Sequence, residues 1–137
     1  MFFVNTNMGG TCIAMAPDVG KTPSPGGPVP VPYPNMSMLV QVIPVTAAKF
    51  TKILNRPVVL ANSTVSMSSG DEGATAGGGV VSNLIKGPTQ FTTFSKFSFF
   101  EGQPVTYHTA DTKQNGSNAN TIGKVAAPSQ TLVTVSG

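Results

Sequence analysis

Apolar residues along this chain come in short runs, and the residues between the runs are those of turns. "KFTKILNRPVVLANS" holds two runs, Phe50 to Leu54 and Val58 to Ala61, around Asn55-Arg56-Pro57. "KFSFFEGQPVTYH" repeats the arrangement, with Phe97 to Phe100 and Val105 to Tyr107 around Glu101-Gly102-Gln103-Pro104. Asn and Gly tolerate the positive φ that tight hairpins demand, so both segments predict β-hairpins. The pieces "NRPVVL" and "GQPVTY" echo each other, which suggests one ribbon unit used more than once. "TLVTVSG", Thr131 to Gly137, reads as a strand that closes a sheet. Two windows, Thr46 to Leu54 and Gly77 to Lys86, have partial helical spacing but few strong helix formers, so at most one short helix is expected.

Two stretches break this pattern. In "KTPSPGGPVPVPYPN", Lys21 to Asn35, each proline fixes φ and turns the preceding residue away from the α region. The segment is expected to be an ordered, donor-poor strap, with Val29, Val31 and Tyr33 as inward contacts. In "SSGDEGATAGGGVVS", Ser68 to Ser82, glycines mark places where backbones approach closely or φ turns positive. Together the features predict a mainly β chain: a small single domain of short hairpins and β-ribbons with long ordered loops, spanning residues 1–137.

Composition narrows the function classes. Charged residues are only 9% of the 137, so Ser, Thr, Asn and Gly must build most of the surface. The net charge is +3, but Lys21, Lys49, Lys52, Arg56, Lys86, Lys96, Lys113 and Lys124 are scattered, which argues against a nucleic-acid footprint. The N-terminus lacks the basic and apolar regions of a signal peptide, and no apolar run approaches the ~20 residues of a membrane-spanning helix.

Candidate chemistry is sparse. His108 is the single histidine; an acid–base pair would have to use it with Asp111 or Asp18, and no nucleophile elbow is present. Asp71 and Glu72 are neighbours in a glycine-rich turn, where acids are usually solvated or cap backbone N–H groups. "GDEGATAGGG" matches neither phosphate-binding glycine motif. Cys12 and His108 are the two weak metal candidates. Structural zinc takes four Cys or His ligands and this chain has two, so no cofactor is expected, and zinc would need ligands from a second molecule to complete its site.

The composite of "PDVGKTPSPGGPVPVPYPN", "SSGDEGATAGGGVVS" and "IKGPTQFTTFSKFSFFEGQPVTYHTADTKQNGSNA" resembles the PAAR-like proteins of type VI secretion and related contractile injection systems, over roughly Met8 to Ala119. The resemblance implies a conical β-structure on the blunt end of a trimeric VgrG-type spike, sharpening its tip and attaching effectors. It implies assembly in the bacterial cytoplasm, export through the contractile apparatus and transient contact with a target membrane. In PAAR proteins proper, three His and one Cys hold zinc at the apex. Here Gly20 stands where many relatives have Cys, and Gln114, Asn115 and Asn118 where some have histidines, which disfavours zinc.

The expected role is therefore a non-enzymatic spike-tip cap without a fused effector domain, monomeric on a three-fold partner. Pro23, Pro30, Pro32, Tyr33, Pro34, Asn35, Gly70, Asp71, Glu72, Gly77, Gly78 and Gly79 are the structural or partner-binding candidates. The alternatives are a small secreted effector or enzyme using His108 and Asp111, and an effector-loading adaptor.

Overall fold

A computed structural model describes the whole chain, Met1–Gly137. The protein is mainly β, with two 3-10 turns, Leu39–Gln41 and Pro44–Thr46, and no α-helix. Neither window with helical spacing is helical. Thr46 ends the second 3-10 turn, and Gly78–Gly79 pair as a strand.

The largest sheet has six strands in the order Met36–Met38, Thr11–Ala14, Thr121–Ala127, Asp111–Gln114, Thr89–Phe91 and Thr64–Val65, all neighbours antiparallel. Chain continuing from its first strand reaches its last: Val42 bridges Val65, and the Ile43 N–H donates to the Thr64 carbonyl at 2.9 Å. The sheet is thus nearly closed, which leaves little open edge for another chain to join. Alternation along Thr121–Ala127 puts Thr121, Gly123 and Val125 inside and Ile122, Lys124 and Ala126 outside, as period-2 strands require.

A second sheet of three strands, Val29–Tyr33, Asp18–Thr22 and Gly78–Gly79, carries the proline stretch at its edge. The strap is ordered and is a strand, in register from Asp18–Tyr33 to Thr22–Val29. Proline is tolerated there because an edge strand needs its donors on one side only. Val29 is 41% exposed, which corrects the expectation that it faces inward; Val31 and Tyr33 are half-buried.

Three two-stranded ribbons complete the fold. Lys52–Ile53 pairs with Arg56–Pro57, and Phe99–Phe100 with Gln103–Pro104. Their turns are Leu54-Asn55 and Glu101-Gly102, all four residues at positive φ, so each hairpin turns slightly earlier than the proline positions suggest. The third ribbon joins the chain ends, Phe2–Phe3 with Thr134–Val135. The apolar core of 16 buried residues, including Val4, Leu39, Val58, Val59, Val105 and Val125, lies between these ribbons and the six-stranded sheet.

Candidate functional site

The ribbon echo seen in the sequence is part of a three-fold arrangement. The strand following each ribbon donates and accepts in a closed ring: Asn5 N–H to the Thr106 carbonyl (3.1 Å), Thr106 N–H to Val59 (3.1 Å), and Val59 N–H to Asn5 (2.9 Å). Two residues later a second set closes the same ring in the opposite sense, from Asn7 to Pro57, Ala61 to Pro104 and His108 to Phe3. The isolated bridges Val4–Tyr107, Thr6–Val58 and Leu60–Val105 obey the same permutation. Asn5, Val59 and Thr106 are therefore equivalent positions, each fully buried. The Thr106 hydroxyl donates to the Val59 carbonyl at 2.9 Å and the Asn5 amide donates to the Tyr107 carbonyl at 3.0 Å, so the ring has side-chain support at two of its corners.

Extending the equivalence along the ribbons leads to Phe50, Phe97 and Leu132, which precede Thr51, Ser98 and Val133. Those three residues accept from Val58, Val105 and Val4, respectively. Phe50 is 87% exposed, Phe97 75% and Leu132 71%, an unusual concentration of bare apolar area at symmetry-related positions. Each bearing loop is fixed by an acceptor of a different kind. The Glu101 carboxylate accepts from the N–H groups of Lys49, Phe50 and Thr51 at 3.0–3.3 Å. The Ser95 hydroxyl accepts from Phe97 and Ser98, and the Gln130 side-chain carbonyl from Leu132 and Val133. The backbone N–H bonds hold the Glu101 carboxyl below its ordinary range. Pattern reading missed this trio because Phe50 and Phe97 look like strand core and Leu132 belongs to no echo.

The glycine- and proline-rich unit is organised differently. Asp18, Asn35, Asp71 and Asn115 are buried together; the amides of Asn35, Asn115 and Asn120 all donate to the Asp18 carboxylate. Asp71 accepts from the Lys86 N–H at 3.0 Å and from the Asn115 amide at 2.7 Å. Asp18, Asn115 and Asn120 escaped sequence reading as a unit, since their separation along the chain hides the contact. Glu72 is exposed; its own backbone N–H first, then the Gly70 N–H at 2.8 Å and Lys86 Nζ at 3.9 Å, lower its pKa. Pro23, Pro30, Pro32 and Pro34 are exposed, and Tyr33 bonds the Thr22 hydroxyl at 2.6 Å. Gly70 follows Ser69, whose backbone pairs with Met36; Gly77 is exposed and Gly79 buried. Gly78, at φ +76, lies so near the Leu84 backbone that a Cβ would come within 2.7 Å of it. At Gly20, a Cβ would overlap that of Ala74.

The Cys and His candidates serve other ends. Cys12 is buried in the six-stranded sheet opposite Val125 and Ser37, and burial pushes its thiol up to about 12. His108 belongs to the three-fold ring, its Nδ1 buried without a partner. No group of three or more His, Cys, Asp or Glu side chains comes together, so the residue set does not fit the four-ligand zinc site that PAAR proteins hold. Asp111 is engaged by Lys124 Nζ (2.5 Å) and by the Thr93 hydroxyl (3.1 Å), which lower its pKa, and has no hydrogen bond to His108. The acid–base pair weighed from sequence is not assembled.

Comparison with known proteins agrees with the motifs. Residues 11–123 match the Toxin PAAR-like domain. A protein from Pseudomonas aeruginosa, the DNase toxin Tse7, is 35% identical over 112 residues, covering 77% of this chain and 28% of that relative. The chain thus spans little more than a quarter of the relative's length. No solved structure matches. The expectation of a protein without enzymatic function is corrected by this relative, whose name is that of a DNase and hence of an enzyme. With most of its length matched and its fold mainly β, the chain belongs to the Toxin PAAR-like domain family and so to the proteins associated with type VI secretion.

Proposed function

We propose that this chain seats on the blunt end of a VgrG-type spike trimer and forms the tip through which a toxin is carried into a target cell. The supporting observation is the three-fold unit: one polypeptide presents Phe50, Phe97 and Leu132 at equivalent positions, each on a loop clamped by its own acceptor. A trimer offers three identical surfaces around one axis. A monomer can meet all three at once only if it imitates that symmetry. Exposed apolar anchors on pre-ordered loops suit such an interface, since little side-chain and loop entropy remains to be lost on docking. The prolines of the edge strand Val29–Tyr33 leave no outward N–H at Pro30 and Pro32, which discourages strand addition by a wrong partner.

In this reading the complex assembles in the bacterial cytoplasm and leaves through the contractile apparatus, making passing contact with the target membrane. The similarity to part of a DNase toxin supports a place for the chain in toxin delivery, alongside a toxic activity or an adaptor. The test is co-sedimentation with the cognate spike trimer. Replacing Phe50, Phe97 and Leu132 together by Ser is expected to weaken binding about tenfold or more while the far-UV spectrum stays unchanged. Undiminished binding by the folded triple variant would sink the proposal.

A further inference from the structure

The buried carboxylates of the glycine- and proline-rich unit pose a charge problem that its amides do not solve. Asp18 is 0% and Asp71 1% exposed. Asn115 Nδ2 lies 3.3 and 3.1 Å from the two Asp18 oxygens, 2.7 Å from Asp71 Oδ2 and 3.0 Å from the Leu84 carbonyl. One amide has two protons, and four oxygens converge on it. The cations nearby are engaged elsewhere: Lys86 Nζ faces Glu72, and Lys21 Nζ bonds the Asn83 side chain at 2.6 Å. The other ionisable group of the three-stranded sheet, the Tyr33 hydroxyl, bonds Thr22; on the strands flanking 115–120, Asp111 pairs with Lys124 and Lys113 is exposed. Two adjacent buried carboxylates with no cation between them cannot both ionise without a large penalty.

We propose that Asp18 and Asp71 share one proton, and that the resulting acid–carboxylate pair is a pH-sensitive latch joining the strand Asp18–Thr22, the glycine-rich segment 68–86 and the segment 115–120. The proton resides on Asp71. Asp18 is already served by three amides, those of Asn35, Asn115 and Asn120, and so has the fuller set of donors. Asp71 has one backbone N–H, from Lys86, and a share of Asn115. Burial first, and then the charge of Asp18, raise the Asp71 pKa. A carboxyl whose pKa is raised on folding stabilises the fold at low pH and loses that contribution as pH climbs through the raised value. The latch therefore loosens on alkalinisation, by repulsion between two carboxylates where one had been an acid.

The experiment is thermal unfolding of the whole chain, in wild-type, Asp71→Asn and Asp18→Asn forms, from about pH 5 to about pH 8, above the ordinary carboxylate range. Wild-type Tm should fall by several degrees relative to Asp71→Asn, whose neutral amide replaces the acid and removes the titration. Asp18→Asn should be destabilised throughout, because three amides would then face a fourth. Parallel pH curves for wild-type and Asp71→Asn overturn the proposal. Should Asp71→Asn not fold, a carboxyl carbon NMR titration of the wild-type decides: an Asp71 that titrates at or below the ordinary range overturns it, and a raised midpoint supports it. Millimolar calcium that raises the Tm of wild-type but not of Asp71→Asn would mean that a cation holds the pair, which also overturns the shared proton.

Discussion

The three-fold ribbon unit and the glycine- and proline-rich unit solve the same problem, that of ordering short segments with little regular structure, by opposite means. The first uses repetition: equivalent backbone bonds among Asn5, Val59 and Thr106, and apolar burial of Val4, Val58 and Val105, worth about 2 kcal/mol for each such side chain. The second uses single, non-repeated solutions: a missing Cβ at Gly20, a positive φ at Gly78, and a carboxylate–amide cluster around Asp18 and Asp71. Repetition spreads the stabilisation and tolerates substitution at one corner. A unique cluster concentrates it, so one lost partner strands the rest.

That contrast is most exposed at Asn115. Asn115→Leu removes the amide on which both carboxylates depend and should cost about 3–5 kcal/mol in urea unfolding, the range for breaking a buried charged network. A loss under ~1 kcal/mol would show that the cluster is not what holds this unit. Next comes Gly20→Ala, expected to cost about 2–3 kcal/mol through overlap with Ala74. Restoring space with Ala74→Gly in the same chain should recover most of that loss, and failure to recover it would argue against the contact.

The repeated unit should yield less. Thr106→Val deletes the two buried bonds of its hydroxyl, to the Val59 carbonyl and from the Asn5 amide, at one corner of the ring and should cost about 1–2 kcal/mol. Glu101→Gln is expected to leave global unfolding nearly unchanged but to speed amide exchange at Lys49, Phe50 and Thr51. Since the Glu101 pKa is lowered, its grip is present above the ordinary carboxyl range and lost as pH falls through the lowered value, so the wild-type loop should reproduce the variant's exchange only in acid. The smallest effect is at Cys12. With its thiol pushed up to about 12, it should stay unreactive to thiol reagents at neutral pH until the chain unfolds, and ready labelling of the native protein would contradict its burial.

Much of the ribbon unit was legible beforehand because its information is local. Turn residues between apolar runs mark the hairpins, read at Asn55-Arg56-Pro57 and Glu101 to Pro104 and found to turn at Leu54-Asn55 and Glu101-Gly102, and the echo "NRPVVL" with "GQPVTY" marks two of the three copies. The third copy was hidden because it is split between Phe2–Phe3 and Thr134–Val135, at opposite ends of the chain. The strap was legible as ordered and extended, but not as a strand, since nothing local says that Asp18–Thr22 will pair with it.

Neighbours along the chain were enough for the β character, the turns, the extended course of the proline stretch and the family. Only the tertiary structure decided the three-fold permutation, the symmetry of Phe50, Phe97 and Leu132, and the meeting of Asp18 with Asp71 and Asn115. Those depend on contacts between residues far apart along the chain, such as Asn115 with Asp71, 44 positions away, and Asn5 with Tyr107, 102 positions away. Pattern along a chain encodes which face a residue shows, whereas partners at that distance are selected by packing of the whole core.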